Sequence, residues 1–151
     1  MADELSPFLD SRESAGDNLS EAEASFAVDV LLFDYEGDLF AVPAQTVDSV
    51  VAWKIPAPVP GNDTRVRGVV QDRGRVVVVM AHPTGQARPQ APGDPKRIVI
   101  CETLRGHVGV PATTTAAVES LNLPVEPSSG SVYDSERGPF VYLDPSSYAS
   151  M

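Results

Sequence analysis

Every apolar run in this chain is short enough to be a single β-strand, and each is cut off by a turn signal. The runs are FAVDVLLFDY (26–35), LFAVP (39–43), two valine-rich runs within 66–81, RIVICETL (97–104), HVGVPA (107–112) and FVYLD (140–144). β-Branched residues dominate them, and their stiff side chains suit a pleated sheet better than a helix. The longest uninterrupted stretches, Val76 to Ala81 and Ile98 to Cys101, fall far below the roughly 20 apolar residues needed to span a bilayer. Between the runs stand EGD with Gly37, QDRG with Gly74, and RG at 105–106, the residues that close hairpins. About seven short, hairpin-linked strands predict an all-β barrel or sandwich.

Three segments fit this pattern less simply. In AQTVDSVVAW (44–53), Val47, Val50 and Val51 recur at i, i+3 and i+4, the spacing of one apolar helix face, which predicts a short helix ending at Trp53. KIPAPVPGND (54–63), with three prolines within five residues, reads as an extended connector. TTTAAVESLNL (113–123) fits a strand and a helix about equally. HPTGQARPQAPGDPK (82–96) and PVEPSSGSVYDSERG (124–138) read as loops, and Asp144 is placed to cap a short terminal helix.

The formal charge of −10 is unevenly distributed. Residues 1–24 hold seven acids against one base, Arg12, and few large apolar residues beyond Phe8 and Leu9. Such a segment buries too little surface to offset its ordering entropy, so the domain division is a disordered acidic tail at 1–24 and one globular domain at 25–151. The tail has no basic and apolar regions of a secretory signal, which predicts a cytoplasmic protein. The acidic balance argues against nucleic acid as partner. His82 and His107 lack Cys or carboxylate neighbours at ligand spacing, so no metal or cofactor is expected. Cys101, the single cysteine, sits within RIVICETL and reads as a small buried hydrophobe.

One stretch does not fit a plain core. VRGVVQDRGRVVVVM (66–80) interrupts its valines with Arg67, Asp72, Arg73 and Arg75, so a hairpin displays polar groups at its tip. A guanidinium held at a hairpin tip presents a planar fork of donors at low entropic cost, suited to a carboxylate or to backbone carbonyls on a partner. Its alternative role is an intramolecular clip to the segment carrying Val47 and Val50, with those valines in the core.

The order of elements resembles the CheW-like coupling domain of bacterial chemosensory arrays over roughly residues 26–149. The most informative part is the family pattern G-V-x-N-L-R-G-x-[IV]-x-P-V-x-D-L, met here by Gly68, Val69, Arg73, Gly74, Val76 and Val79. The chain departs from it at Gln71, Asp72, Val78, Ala81 and His82, which marks a divergent member. The resemblance implies two small intertwined five-stranded β-barrels without catalytic activity. It also implies an adaptor that binds the CheW-like regulatory domain of a CheA-type histidine kinase, the tip of a methyl-accepting chemoreceptor, or, in a divergent member, another signalling or motility protein. Carried over residue by residue, the partner-binding positions are Val47, Val50, Gly68, Val69, Arg73 and Gly74. Membrane contact would be indirect, through recruitment to arrays.

Two other function classes bear comparison. A β-barrel that binds a small ligand or oligomer exposes stacking aromatics among basic residues, and here most aromatics fall at strand positions where a core role suffices, with Trp53, against the proline-rich connector, the exception. An enzyme is disfavoured because no nucleophile motif, phosphate-cradling glycine loop or metal cluster is present.

Overall fold

The computed structural model describes residues 25–61, 63–87 and 95–150, so the expected disorder of the tail and the middle of the 82–96 loop lie outside the described residues. Ten strands form two five-stranded sheets. They are β1 (Phe26–Tyr35), β2 (Asp38–Pro43), β3 (Val47–Ala52), β4 (Val66–Asp72), β5 (Arg75–Met80), β6 (Arg97–Thr103), β7 (Gly106–Ala112), β8 (Thr114–Leu123), β9 (Val132–Ser135) and β10 (Gly138–Tyr142). Sheet A has the order β8-β1-β2-β10-β9, and sheet B the order β3-β6-β7-β5-β4. Sheet A is therefore made from the two ends of the described chain and sheet B from its middle, which is what intertwines the two barrels.

Strict alternation divides the core into three layers, because successive side chains in a strand point to opposite faces. In β1, Val30 and Leu32 enter the interior of barrel A with Ala41, Phe140 and Tyr142. The intervening Leu31, Phe33 and Tyr35 enter a larger cluster between the barrels, with Val99, Cys101, Val108 and Val110 from sheet B. In β6, Ile98 and Ile100 face the interior of barrel B beside Val70, Val77 and Val79. Burial on both faces explains the unbroken apolar runs VLLF and IVIC. Gly109 of β7 faces the same interior, where a Cβ would lie 2.7 Å from the Ile98 side chain.

Barrel B is closed by the proline-rich connector. Ala57 and Val69 exchange both backbone hydrogen bonds at 2.8 Å, joining the segment after β3 to the edge strand β4. That approach explains Gly68: at φ +151 it has no side chain, and a Cβ there would stand 2.3 Å from the Ala57 carbonyl oxygen. On barrel A, Arg137 of the β9–β10 turn reaches across to pair with Glu119 of β8.

Three expectations need correction. The predicted helix at 44–53 is a single 3-10 turn, Ala44–Thr46, followed by strand β3, with Val47 and Val50 on it. Val50 lies on the solvent side of β3, and counting it as core created the helical spacing. The segment read as a loop at 124–138 contains β9, whose Tyr133 packs on the barrel A interior. The strand total rises from about seven to ten, because β3, β8 and β9 join the expected ones. The ambiguous run at 113–123 is β8, and Asp144 accepts hydrogen bonds from Ser146 N and Oγ at the start of a terminal 3-10 helix, Pro145–Ser150.

Cys101 is fully buried, and burial pushes its thiol up to about 12, although a hydrogen bond with Thr46 pulls the other way. Folded protein at pH about 8 is therefore expected to resist iodoacetamide, and denatured protein to react fully; mass spectrometry of both samples checks this.

Candidate docking surface

The β4–β5 hairpin turns through Arg73 and Gly74, both at positive φ, 52° and 80°. This is the turn geometry whose twist matches the flanking strands, and Gly74 suits it without strain. Asp72 and Arg75 flank the turn as a cross-strand pair, and Asp48 comes to the same place from β3. Asp48 Oδ2 accepts from Arg75 Nη2 at 2.6 Å and from Arg73 Nη2 at 3.1 Å. Asp72 Oδ2 accepts from Arg73 Nε and Arg75 Nη2, both at 3.2 Å, and Lys54 Nζ lies 3.8 Å from Asp72 Oδ1. Arg75 Nη1 also lies 3.1 Å from His107 Nε2. A guanidinium only donates, so in this contact the imidazole nitrogen is the acceptor.

These contacts set the carboxylates' titration. The hydrogen bond from Arg75 and the charges of Arg75 and Arg73 hold Asp48 below the ordinary carboxylate value despite some desolvation. For Asp72, desolvation is the largest effect and pushes upward, yet the hydrogen bonds from Arg73 and Arg75 together with the charges of Arg73 and Lys54 bring it below the ordinary value. A folded-state value below the unfolded one gives stability that is present above pH ~4 and lost as pH falls through the folded value. Asp48→Asn is therefore expected to lower the urea midpoint at pH about 6, with the gap from wild type closing toward pH about 2. A gap of constant size across that range would show that Asp48 contributes no linked protonation.

Arg73 keeps 64% of its side chain exposed while making these pairs, so the clip and an outward-facing guanidinium coexist in one residue. The clip to the segment carrying Val47 and Val50 is made through the Asp48 carboxylate.

Beside the tip runs an apolar strip. In β5, Val77 and Val79 point into barrel B, so Val76, Val78 and Met80 share the outer face. Cross-strand pairing adds Val69 and Gln71 of β4 to that face. Met80 and Val78 belong to the layer between the barrels, but Val76 is 57% exposed, and Ile55 on the connector is 83% exposed. Two grooves flank the strip. One, of about 380 Å³, is lined by Ile55, Ala57, Val69 and Val76 with Lys54 and Gln71. The other, of about 210 Å³, is lined by Val66, Val78, Met80, Val108 and Tyr148 with Asp63, Arg105 and His107 at its edge. Tyr148 anchors the terminal 3-10 helix there by donating its hydroxyl to the Pro83 carbonyl.

Of the sequence-derived positions, Val69, Arg73 and Gly74 lie together on this hairpin. Gly68 serves barrel closure from the buried side, Val47 packs against the layer between the barrels, and Val50 is partly exposed on β3 at the opposite end of the sheet order. Ile55, Val76 and Val78 were not among those positions, and Arg75 was read only as one of the polar groups at the hairpin tip. For the two valines the signal was the four consecutive valines at 76–79, which require an apolar surface on both faces of β5. Trp53 is half-buried, packed on the barrel B interior with the Arg67 guanidinium 5.0 Å from its ring centre.

The family model of the CheW-like domain matches residues 29–137. The chain belongs to the CheW-like domain family. A crystal structure of the scaffolding protein TtCheW from Thermoanaerobacter tengcongensis aligns with it at a TM-score of 0.58 and 16% identity, over 78% of this chain and 84% of that one, which speaks for the shared fold. No curated protein sequence matches the chain. This CheW-like domain thus belongs to a family of non-catalytic scaffolds, and membership supports a scaffold or adaptor role in chemotaxis-type signalling. Among its described residues no helix is long and apolar enough to cross a membrane, and no three His, Cys, Asp or Glu side chains are grouped to hold a metal ion.

Proposed function

We propose that this domain is a non-catalytic adaptor that docks the CheW-like regulatory domain of a CheA-type histidine kinase, a chemoreceptor tip, or both, through the β4–β5 hairpin and the strip along β5. The observation that carries the reading is exposed Val76 of β5, with Ile55 of the connector, beside a guanidinium that is oriented by two carboxylates but still open to solvent. Apolar area next to a preorganised arginine is the mixture that dominates interface energetics. The departures at Asp72 and Val78 favour a partner that differs from the general one. Asp72 is engaged by Arg73 and Arg75, and Val78, where the family has proline, packs against the layer between the barrels and lines the second groove.

A pull-down from the protein's own cell lysate, run beside Arg73→Glu, tests this. Recovery of a CheA-type kinase or chemoreceptor by the wild type, and its loss with the variant, is the expected result. Enrichment of neither, or recovery of either one undiminished by the variant, would overturn the proposed partner or the proposed surface, respectively.

A further inference from the structure

At the tip end of barrel B, each strand of sheet B brings a polar side chain to the barrel's mouth. In strand order these are Asp48 of β3, Glu102 of β6, His107 of β7, Arg75 of β5 and Asp72 of β4. Register puts the last four on one face. Glu102 pairs with His107, Asp72 pairs with Arg75, and His107 lies level with Val77, whose side chain enters the barrel B interior. Arg75 ties this rim together: its Nη2 donates to Asp48 and Asp72, and its Nη1 donates to His107 Nε2 at 3.1 Å. The last of these bonds depends on protonation, because an imidazole that carries a proton on both nitrogens has no lone pair to offer a guanidinium. Imidazole is the side chain that ordinarily changes charge between pH ~5 and ~8. Asp48 and Asp72, held below the ordinary carboxylate value by their arginines, stay charged over that range.

We infer that protonation of His107 switches the hairpin tip: the imidazolium releases Arg75 and turns to Glu102, and Arg75 then competes with Arg73 for Asp48 and Asp72. The charges around His107 fix this direction. Arg75 faces it from β5 and Arg105 from the adjoining turn, so a cation at His107 is repelled on those two sides. Glu102 faces it from β6 as its cross-strand partner, close enough to accept from it. Across the groove of about 210 Å³, Asp63 is held by Arg65, and the Tyr148 hydroxyl is given to the Pro83 carbonyl. Movement of Arg75 reaches Arg73 because the two share acceptors: Asp48 Oδ2 and Asp72 Oδ2 each take a hydrogen bond from both. On the reading of the tip as part of the docking surface, the presentation of Arg73 to a partner is therefore set by pH.

The test is an NMR titration of the isotope-labelled full chain between pH ~8 and ~5, which follows the His107 ring, the Arg75 Nε–H and the amides of Arg73 and Gly74. The expected result is a single step with one midpoint in all four signals. In His107→Gln, whose amide oxygen still accepts from Arg75 but does not titrate, the Arg75 and tip signals are expected to stay in place. A His107 ring that titrates while the tip signals stand still would overturn the proposal, and so would a ring that stays neutral throughout. Tip shifts of equal size in wild type and variant would overturn it as well. The first two outcomes are read from the wild type alone, so the proposal stays falsifiable whether or not the variant folds. No partner is in the sample, so failure of this inference and failure of the adaptor reading are seen separately.

Discussion

Gly68→Val is expected to lower the unfolding free energy on the order of 3 kcal/mol and the melting temperature by roughly 10 °C. Two costs combine. A side chain at φ +151 is strained wherever it stands, and here its Cβ would sit 2.3 Å from the Ala57 carbonyl oxygen, a backbone atom that moves only if the connector moves. Moving the connector breaks both hydrogen bonds between Ala57 and Val69 and opens barrel B along β4. The control is Gly74→Ala, also at positive φ but with nothing within 4 Å of its Cβ, which is expected to cost only about 1 kcal/mol. Equal losses for the two variants in urea titrations would show that collision with the connector is not the reason for glycine at 68.

Val76→Glu is expected to weaken partner binding at least about thirtyfold while leaving the melting temperature unchanged. Val76 is 57% exposed at the centre of the strip, so a carboxylate there meets water in the free protein. In a complex it would be buried against apolar partner atoms, a change of the hot-spot class, worth ~2 kcal/mol or more. Val118→Glu on β8, at similar exposure on barrel A, is the matched control and is expected to bind normally. Titration calorimetry with the kinase regulatory domain compares the two. A loss of equal size in both would deny that β5 is the docking strand.

The alternation of apolar residues made β1, β2 and the β4–β5 and β6–β7 hairpins legible before any coordinates, because each pairs with its neighbour in sequence. Family resemblance supplied the two-barrel arrangement, which periodicity alone does not distinguish from a sandwich. What escaped depends on contacts distant in sequence. β3 was misread because the register shift between Val47 and Ser49 sends Val47 to the layer between barrels and Val51 to the barrel B interior, leaving Val50 outside. β9 was missed because VYDS is short and lies in a Ser-rich segment, and only its pairing with β10 makes it a strand. At the candidate site, Arg73 was legible from the turn signal. Its pairing with Asp48, and the exposure of Val76 and Ile55, follow from the closing of barrel B, which no local pattern encodes.

The measurement that bears most directly on the account is the NMR footprint of a CheA-type kinase regulatory domain on the isotope-labelled full chain. The account predicts amide shifts confined to Ile55, Val66–Met80 and the Arg73–Gly74 tip. Shifts centred on β8 or β9 of barrel A, or none at saturating kinase domain, would contradict it.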